Sequence, residues 1–300
     1  MKWFITFLFL VLPVLSNAGF QNHTDSIYDI DNRQLISSNS SLSPQVVNYS
    51  RSVALIFNSD DLIFENNEQV IFANLLSDLP PVGINICPDE HFANHHAYRS
   101  ACTGFLVGED LLATAGHCFR NQYACDNQLI AFDVDADSEI PRGFKTVDKN
   151  IYHCKEIVAQ VYGEGIDQDY AIIKLDRKSQ RPSLKIRKSG IISTLDKVYL
   201  IGHPLGLPLV YSSAAVISEN SNAAFFKTRI NSFHGNSGSP LINEKTQLVE
   251  GILVRGEEDL VSDRDNQCLR YQKYSSQVET DKIRGEGVTR IKFILPFLAK

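Results

Sequence analysis

A serine set among glycines is the first place in this 300-residue chain where covalent chemistry can be sought. The run is Gly235-Asn236-Ser237-Gly238-Ser239-Pro240. Glycine accepts positive-φ backbone that a side chain resists, and such a turn aims successive N–H groups into one concavity suited to an oxyanion. The backbone N–H groups of Gly235 and Ser237 are the expected donors. A serine hydroxyl alone is a weak nucleophile, so it needs a base to take its proton and an acid to orient that base. Two places upstream supply them. His117 ends the run Leu111-Leu112-Ala113-Thr114-Ala115-Gly116-His117-Cys118, and Asp169 opens Asp169-Tyr170-Ala171-Ile172-Ile173-Lys174-Leu175. Asp167 competes for the acid's place, but only Asp169 is followed directly by an apolar strand. In this scheme His117 takes the Ser237 proton and returns it to the leaving group. Asp169 fixes the tautomer of the imidazole and stabilises its cation.

These side chains need a rigid frame, and the frame reads as β-structure. From Val82 onward short apolar runs alternate with Gly, Pro, Asn and Asp turns, as in 104–107, 111–115, 129–134, 171–175, 197–201, 209–217, 225–230 and 247–254. Many short strands at such spacing predict an all-β barrel or sandwich. Residues 52–58 read as one more buried strand. The pattern over Asn67 to Leu79 predicts a short amphipathic helix, capped by Asn67 with Glu68 in its first turn and closed by Pro80-Pro81. A C-terminal helix is expected around Ile291 to Leu298, limited by Pro296.

At the N-terminus, Lys2, the apolar run Trp3 to Leu15 and Ser16-Asn17-Ala18 form a signal peptide over residues 1–18. The run is shorter than the roughly 20 residues a spanning helix needs, so the mature chain is expected to be secreted, extracellular or periplasmic, and off the membrane. Residues 19–50 are polar, rich in Ser and Asn and without period, which suits a propeptide or a flexible N-terminal arm. A hydrophobic content of 43% supports one large core or two modest ones. Net charge is −6 with no basic block, which excludes nucleic acid as an expected partner. Six cysteines suit an oxidising compartment and up to three disulfides. No CxxC pair stands at metal-ligand spacing, and neither a metal nor an organic cofactor is expected.

The order His117, Asp169, Ser237 and the three local contexts resemble the TAxHC, DxAxxxL and GxSGxP motifs of the chymotrypsin-like serine proteases. That resemblance implies two antiparallel six-stranded β-barrels with the active site in the cleft between them and short helices at the edges. The expected division is residues 51–185 for the first barrel and its N-terminal extension, carrying His117 and Asp169. Residues 186–300 then form the second barrel, carrying Ser237, and the C-terminal helix. A Cys102–Cys118 bridge, as beside the catalytic histidine of the family, would pin the strand that carries His117. For Cys87, Cys125, Cys154 and Cys268 three pairings stay open, with Cys125–Cys154 and Cys87–Cys268 preferred.

Departures from trypsin sharpen the resemblance. Asn236 stands where trypsins carry an Asp that pairs with a freshly cut N-terminal ammonium, so activation by that ion pair is not expected. The GNSGSP form, the segment Gly202-His203-Pro204-Leu205-Gly206 and the stretch Ile27 to Leu35 are similar to the bacterial glutamyl endopeptidases and, for the first two, the Deg-type proteases. By the same likeness the substrate pocket has Asn231 at its base, six residues before Ser237, and a wall that includes Val254, Arg255 and Gly256, with Gly285 to Gly287 opposite. A neutral amide does not pair with Lys or Arg, and Arg255 or His234 are the candidates for reading an acidic side chain. The implied function is a secreted, monomeric serine endopeptidase acting on protein or peptide substrates through an acyl-enzyme. The alternatives are an esterase with the same triad, though nothing here resembles a GxSxG elbow, and a non-catalytic binding module on a protease fold.

Overall fold

In the computed structural model, which describes residues 26–78, 85–99, 101–163, 165–275 and 285–298, the apolar runs become strands of two barrels. The signal peptide and Pro80-Pro81 lie outside the described residues. The first barrel is made of β1 (Val53–Asn58), β2 (Cys102–Leu106), β3 (Leu111–Thr114), β4 (Gln128–Phe132), β5 (Ile151–Val161) and β6 (Tyr170–Leu175). Its antiparallel order is β1-β2-β3-β6-β5-β4, and β4 pairs back onto β1. The second holds β7 (Lys197–Gly202), β8 (Val210–Glu219), β9 (Phe225–Thr228), β10 (Pro240–Asn243), β11 (Val249–Arg255) and β12 (Glu286–Arg290). Here the order is β7-β10-β11-β12-β9-β8, and β8 closes onto β7. This is the chymotrypsin-like architecture: every strand within a barrel has two neighbours, so no edge is left unpaired.

Most strands read as apolar runs because both of their faces are covered, whereas β5 exposes His153, Lys155 and Glu156. On the first barrel Phe105, Leu112, Ile130, Phe132 and Ile172 pack in one cluster, while Leu55, Phe57, Leu129 and Ala131 pack in another with Ile71 and Phe144. Ile71 and Phe144 belong to an outer four-stranded sheet formed by Leu62–Glu65, Glu68–Phe72, Glu139–Ile140 and Gly143–Thr146. Residues 67–79 therefore do not form the expected helix. Asn66 and Asn67 both take positive φ, 51° and 63°, and make the two-residue turn of a hairpin in which Glu65 pairs with Glu68. Asn is favoured both at helix caps and in left-handed turn positions, and the β-branched Val70 and Ile71 after it favour the strand.

The polar segment after residue 25 is not a loose arm. Ile27 is fully buried and Arg33 nearly so. Ile27–Tyr28 pairs in parallel with Lys273–Tyr274, and Gln34–Leu35 adds to the side of β8. A short helix, α1 (Pro44–Ser50), follows, its N-terminus capped by the Ser43 hydroxyl and its Val46 and Tyr49 buried. The segment buries Ile27, Tyr28, Ile36, Val46 and Tyr49 together with Arg33. At the other end Ile291–Phe297 is a 3₁₀ turn, and the ring of Phe293 stacks on Tyr170 at 6.4 Å. Pro296 lacks the N–H that a longer helix would use. Disulfides join Cys87 to Cys268, Cys102 to Cys118 and Cys125 to Cys154. The third ties β5 to α2 (Gln122–Asn127), the short helix that follows the His117 turn.

Candidate active site

His117 sits in the 3₁₀ turn Gly116–Phe119 that follows β3. The preceding residue must be glycine, because a Cβ at Gly116 would lie 2.2 Å from the Val161 carbonyl oxygen and 2.8 Å from that of Tyr170. This close approach sets the turn against the start of β6, where Asp169 stands. Asp169 is buried. Its Oδ1 accepts from the backbone N–H of Gly116 at 2.6 Å and of His117 at 3.1 Å, and its Oδ2 lies 2.8 Å from His117 Nδ1. A carboxylate there assigns the imidazole proton to Nδ1 and leaves Nε2 as the basic nitrogen. The Asp169 N–H donates to Thr289 Oγ1 at 3.2 Å, so β12 of the second barrel steadies the acid of the first. Asp167 turns elsewhere: its carboxylate takes the Asn222 amide at 3.2 Å.

The Ser237 turn is held at almost every polar group. His234 N–H donates to Asp259 Oδ2 at 3.0 Å, and its carbonyl accepts from Leu205 N–H. The Gly235 carbonyl accepts from the Thr103 hydroxyl at 2.8 Å. Asn236 N–H reaches Phe233 O at 3.0 Å, Asn236 O takes Ser239 N–H at 2.8 Å, Ser237 O takes Thr103 N–H at 2.8 Å, and Gly238 N–H reaches Leu253 O at 2.7 Å. Among the described residues the N–H groups left without a hydrogen-bond partner in this turn are those of Gly235 and Ser237. Two donors left open in an otherwise satisfied turn are the groups that an oxyanion would need. The Ser237 carbonyl also lies 3.8 Å from Cys118 Sγ, which brings the turn against the residue after His117.

Positive φ is required twice here, at Gly235 (98°) and Gly238 (94°). A Cβ at Gly235 would meet the His203 carbonyl oxygen at 2.3 Å, and one at Gly238 the Thr103 carbonyl oxygen at 1.9 Å. Asn236 is buried and satisfied within the turn, its Nδ2 donating to Ser232 Oγ at 3.1 Å and its Oδ1 accepting from Ser239 Oγ at 3.4 Å. It offers no charge for an ammonium. Sequence reasoning missed Thr103, whose hydroxyl links Gly235 O to the His203 N–H at 3.1 Å, since nothing local marks a threonine 132 residues away as a partner. It also missed Leu205, a non-glycine residue at φ 56° whose N–H holds the His234 carbonyl.

His203, on the segment beneath the turn, is fully buried, with Nδ1 bonded to Leu207 O at 2.9 Å and Nε2 without a partner among the described residues. Burial pushes its pKa down to about 4 from the ordinary 6.5. The neutral form is favoured in the fold and the cation in the unfolded chain. The stability contributed is therefore complete above pH 6.5 and lost as pH falls through the interval down to about 4, up to about 3 kcal/mol. A His203→Gln variant is expected to show a flatter fall in Tm between pH 6.5 and 4 than the unaltered protein.

Of the residues expected to read the substrate side chain, Asn231 and Arg255 direct their side chains at the fold. Asn231 is buried; its Oδ1 accepts from Tyr28 N–H at 2.7 Å, and its Nδ2 donates to Ile30 O at 2.7 Å and Asn32 Oδ1 at 3.0 Å. Arg255 directs Nη2 at the carbonyls of Ile166 (3.3 Å) and Asp167 (3.2 Å), not at Glu257 or Glu258. Val254 is buried, Gly256 is partly so, and the exposed residue His234 is anchored through its backbone. Glu286, beside Gly287, is buried and takes the Tyr28 hydroxyl at 2.8 Å. Burial and this carboxylate raise the Tyr28 pKa far above the usual phenol range. Among the described residues two clusters bring three residues of metal-ligand type together, Cys102/His117/Cys118 and Cys87/Asp263/Cys268, and each spends both sulfurs on a disulfide.

Known proteins agree with this architecture. A Glu endopeptidase structure superposes with a TM-score of 0.51 at 17% identity, covering 91% of this chain and all of that one. The VesB protease of Vibrio cholerae gives 0.50 at 11% identity, covering 90% of this chain and 66% of that one. At these identities the likeness is one of fold. In sequence the chain is 24% identical over 161 residues to the serine protease HTRA4 of Mus musculus, and 25% over 155 residues to the serine protease HTR4 of Bos taurus. Those alignments take in 50% and 48% of this chain but only 29% and 28% of the relatives. The profile of the trypsin-like peptidase domain matches residues 102–252, half of the chain and the stretch that contains His117, Asp169 and Ser237, and on that match the chain belongs to the trypsin-like peptidases.

Proposed function

We propose that the protein is an exported serine endopeptidase that hydrolyses peptide bonds through an acyl-enzyme on Ser237. The observation that carries this reading is the pairing of a buried Asp169 with His117 Nδ1 at 2.8 Å, beside a turn whose open donors are Gly235 and Ser237 N–H. His117 Nε2 takes the Ser237 proton as Oγ attacks the scissile carbonyl. The oxyanion is received by the two N–H groups, and the imidazolium then passes its proton to the leaving amine. Water enters by the same route to release the acid. Preorganised donors of this kind account for several kcal/mol of transition-state stabilisation. Export is supported by the apolar run Trp3 to Leu15 and by disulfides that use all the cysteines. Residues 26–50 are part of the working enzyme in this reading, and a cut removing residues before 26 is compatible with it.

The test is covalent labelling. Secreted protein treated with a fluorophosphonate probe is expected to carry one label, on Ser237, and to cleave an internally quenched peptide library at internal bonds. Absence of label on the native, disulfide-intact protein would remove the enzyme reading. Label together with hydrolysis of activated esters but not of any peptide would replace the peptidase by an esterase.

A further inference from the structure

Beside the nucleophile turn runs a segment that the chemistry above does not use. Residues 26–35 lie along residues 231–234: Ser232 N–H donates to Ser26 O at 3.2 Å, and the Asn231 amide clasps Tyr28, Ile30 and Asn32. At its centre is Arg33, the largest of the fully buried side chains. Its guanidinium carbon sits 4.2 Å from the ring centre of Phe233, 4.6 Å from that of Tyr271 and 5.3 Å from that of Phe92. Nε and Nη2 grip the two oxygens of Asp31 at 2.8 Å and 2.7 Å. Phe233 is the residue whose carbonyl receives the Asn236 N–H at 3.0 Å, so the guanidinium is one ring and one hydrogen bond away from the residue preceding Ser237.

We propose that Arg33 is a positioning residue for the nucleophile turn. Residues 26–35 are thereby a permanent replacement for the ion pair that Asn236 cannot make. The inference rests on the hydrolase reading of Ser237. Burying an arginine with its carboxylate is an expensive way to fill space, since an apolar side chain of similar size commonly does as well or better. What the guanidinium supplies, and methionine does not, is a plane. The fork on Asp31 fixes its orientation, and its faces and edges then fix three rings. Phe233 is thereby held by direction as well as by volume, and with it the carbonyl that sets the Asn236 peptide. Asn231 belongs to the same device, because its amide holds the segment instead of facing a substrate.

The experiment uses the full exported protein with Arg33→Met and Arg33→Lys. Competent sites are counted by burst titration, and kcat per site, KM and Tm are measured. Two inhibitors complete the set: a peptide boronic acid, whose tetrahedral adduct requires the oxyanion hole, and a product peptide, which binds the cleft without it. For Arg33→Met we expect a Tm within a few degrees of the unaltered protein and kcat per site lower by about 10- to 100-fold, less than the 10²–10³ of a lost hole donor. The boronate Ki rises by the same factor, while KM and the product-peptide Ki change by less than about threefold. Arg33→Lys, which keeps the charge and loses the plane, falls between the two. Unchanged kcat per titrated site and unchanged boronate Ki, with only a lower Tm or fewer competent sites, would overturn the proposal. Should Arg33→Met not fold, the same two numbers for Arg33→Lys decide. If the unaltered protein neither labels at Ser237 nor cleaves peptides, the hydrolase reading itself falls, and this proposal falls with it.

Discussion

Replacing Ser237 by alanine is expected to lower peptide hydrolysis by about 10⁴- to 10⁶-fold and to abolish fluorophosphonate labelling, with no loss of fold. His117→Ala should cost about as much, and the double variant little more, because nucleophile and base act as one unit. Asp169→Asn is the more telling change. Its side chain keeps an acceptor for the Gly116 and His117 N–H groups, now at 2.6 Å and 3.1 Å, so the turn stays in place. The amide, however, presents N–H to His117 Nδ1 and favours the wrong tautomer, for an expected loss of about 10⁴ in kcat. Asp167→Asn should change kcat by less than about threefold, since that carboxylate serves Asn222. Steady-state kinetics on variants with unaltered circular dichroism checks the series. A collapse of activity in Asp167→Asn with retention in Asp169→Asn would show that the acid has been misassigned.

The second large effect is expected at Gly235. An alanine there must hold φ near 98° and place Cβ against the His203 carbonyl oxygen, so the peptide carrying the Gly235 N–H has to rotate out of position. The expected result is a fall in kcat of about 10²–10³ with KM little changed, as for removal of one hole donor. Gly108→Ala is the control. The three atoms nearest its added methyl belong to the Leu111 side chain, at 3.3 Å or more, and activity should stay within about twofold. Equal losses at both positions would mean that the effect at Gly235 is not one of hole geometry. Pre-steady-state acylation rates give the cleanest comparison, because they exclude product release.

How far the sequence could be read depended on how far apart the partners lie along it. The barrels were legible because most strands carry their own signal, an apolar run bounded by turn formers, whereas β5, which exposes His153, Lys155 and Glu156, and β10, only four residues long, lack such a run. The turns around His117, Asp169 and Ser237 were legible for a related reason. Glycines at 116, 235 and 238 answer to close backbone approaches, and such constraints restrict the residue at that very position. Residues 67–79 misled because Asn serves two geometries, the helix cap and the left-handed hairpin turn, and the choice was made by pairing with residues 143–146. Asn231 was legible only in part. Its neutral amide excludes pairing with a basic side chain, but nothing local shows that it bonds to Tyr28, Ile30 and Asn32, about 200 residues earlier in the chain. Nothing local marks the roles of Thr103, Leu205 and Arg33, although the last two lie in stretches that the sequence singles out. Their partners are set by the packing of one barrel's loops, or of the N-terminal segment, against the second barrel.

The N-terminal segment also has a consequence in time. It emerges long before its partners: Asn231 lies 203 residues after Tyr28, and Glu286 lies 258 residues after it. Chains are made from the N-terminal side, so contacts of such separation must await the synthesis of residues as far on as Glu286. A growing chain that already contains Ser237 thus has an unfinished site, which is completed only when Tyr271, Lys273, Tyr274 and Glu286 arrive. Chains stalled near residue 256 are expected not to react with a fluorophosphonate, whereas the completed chain does. The hydrolase would then be harmless for as long as it is being made, without needing a separate inhibitor to keep it so.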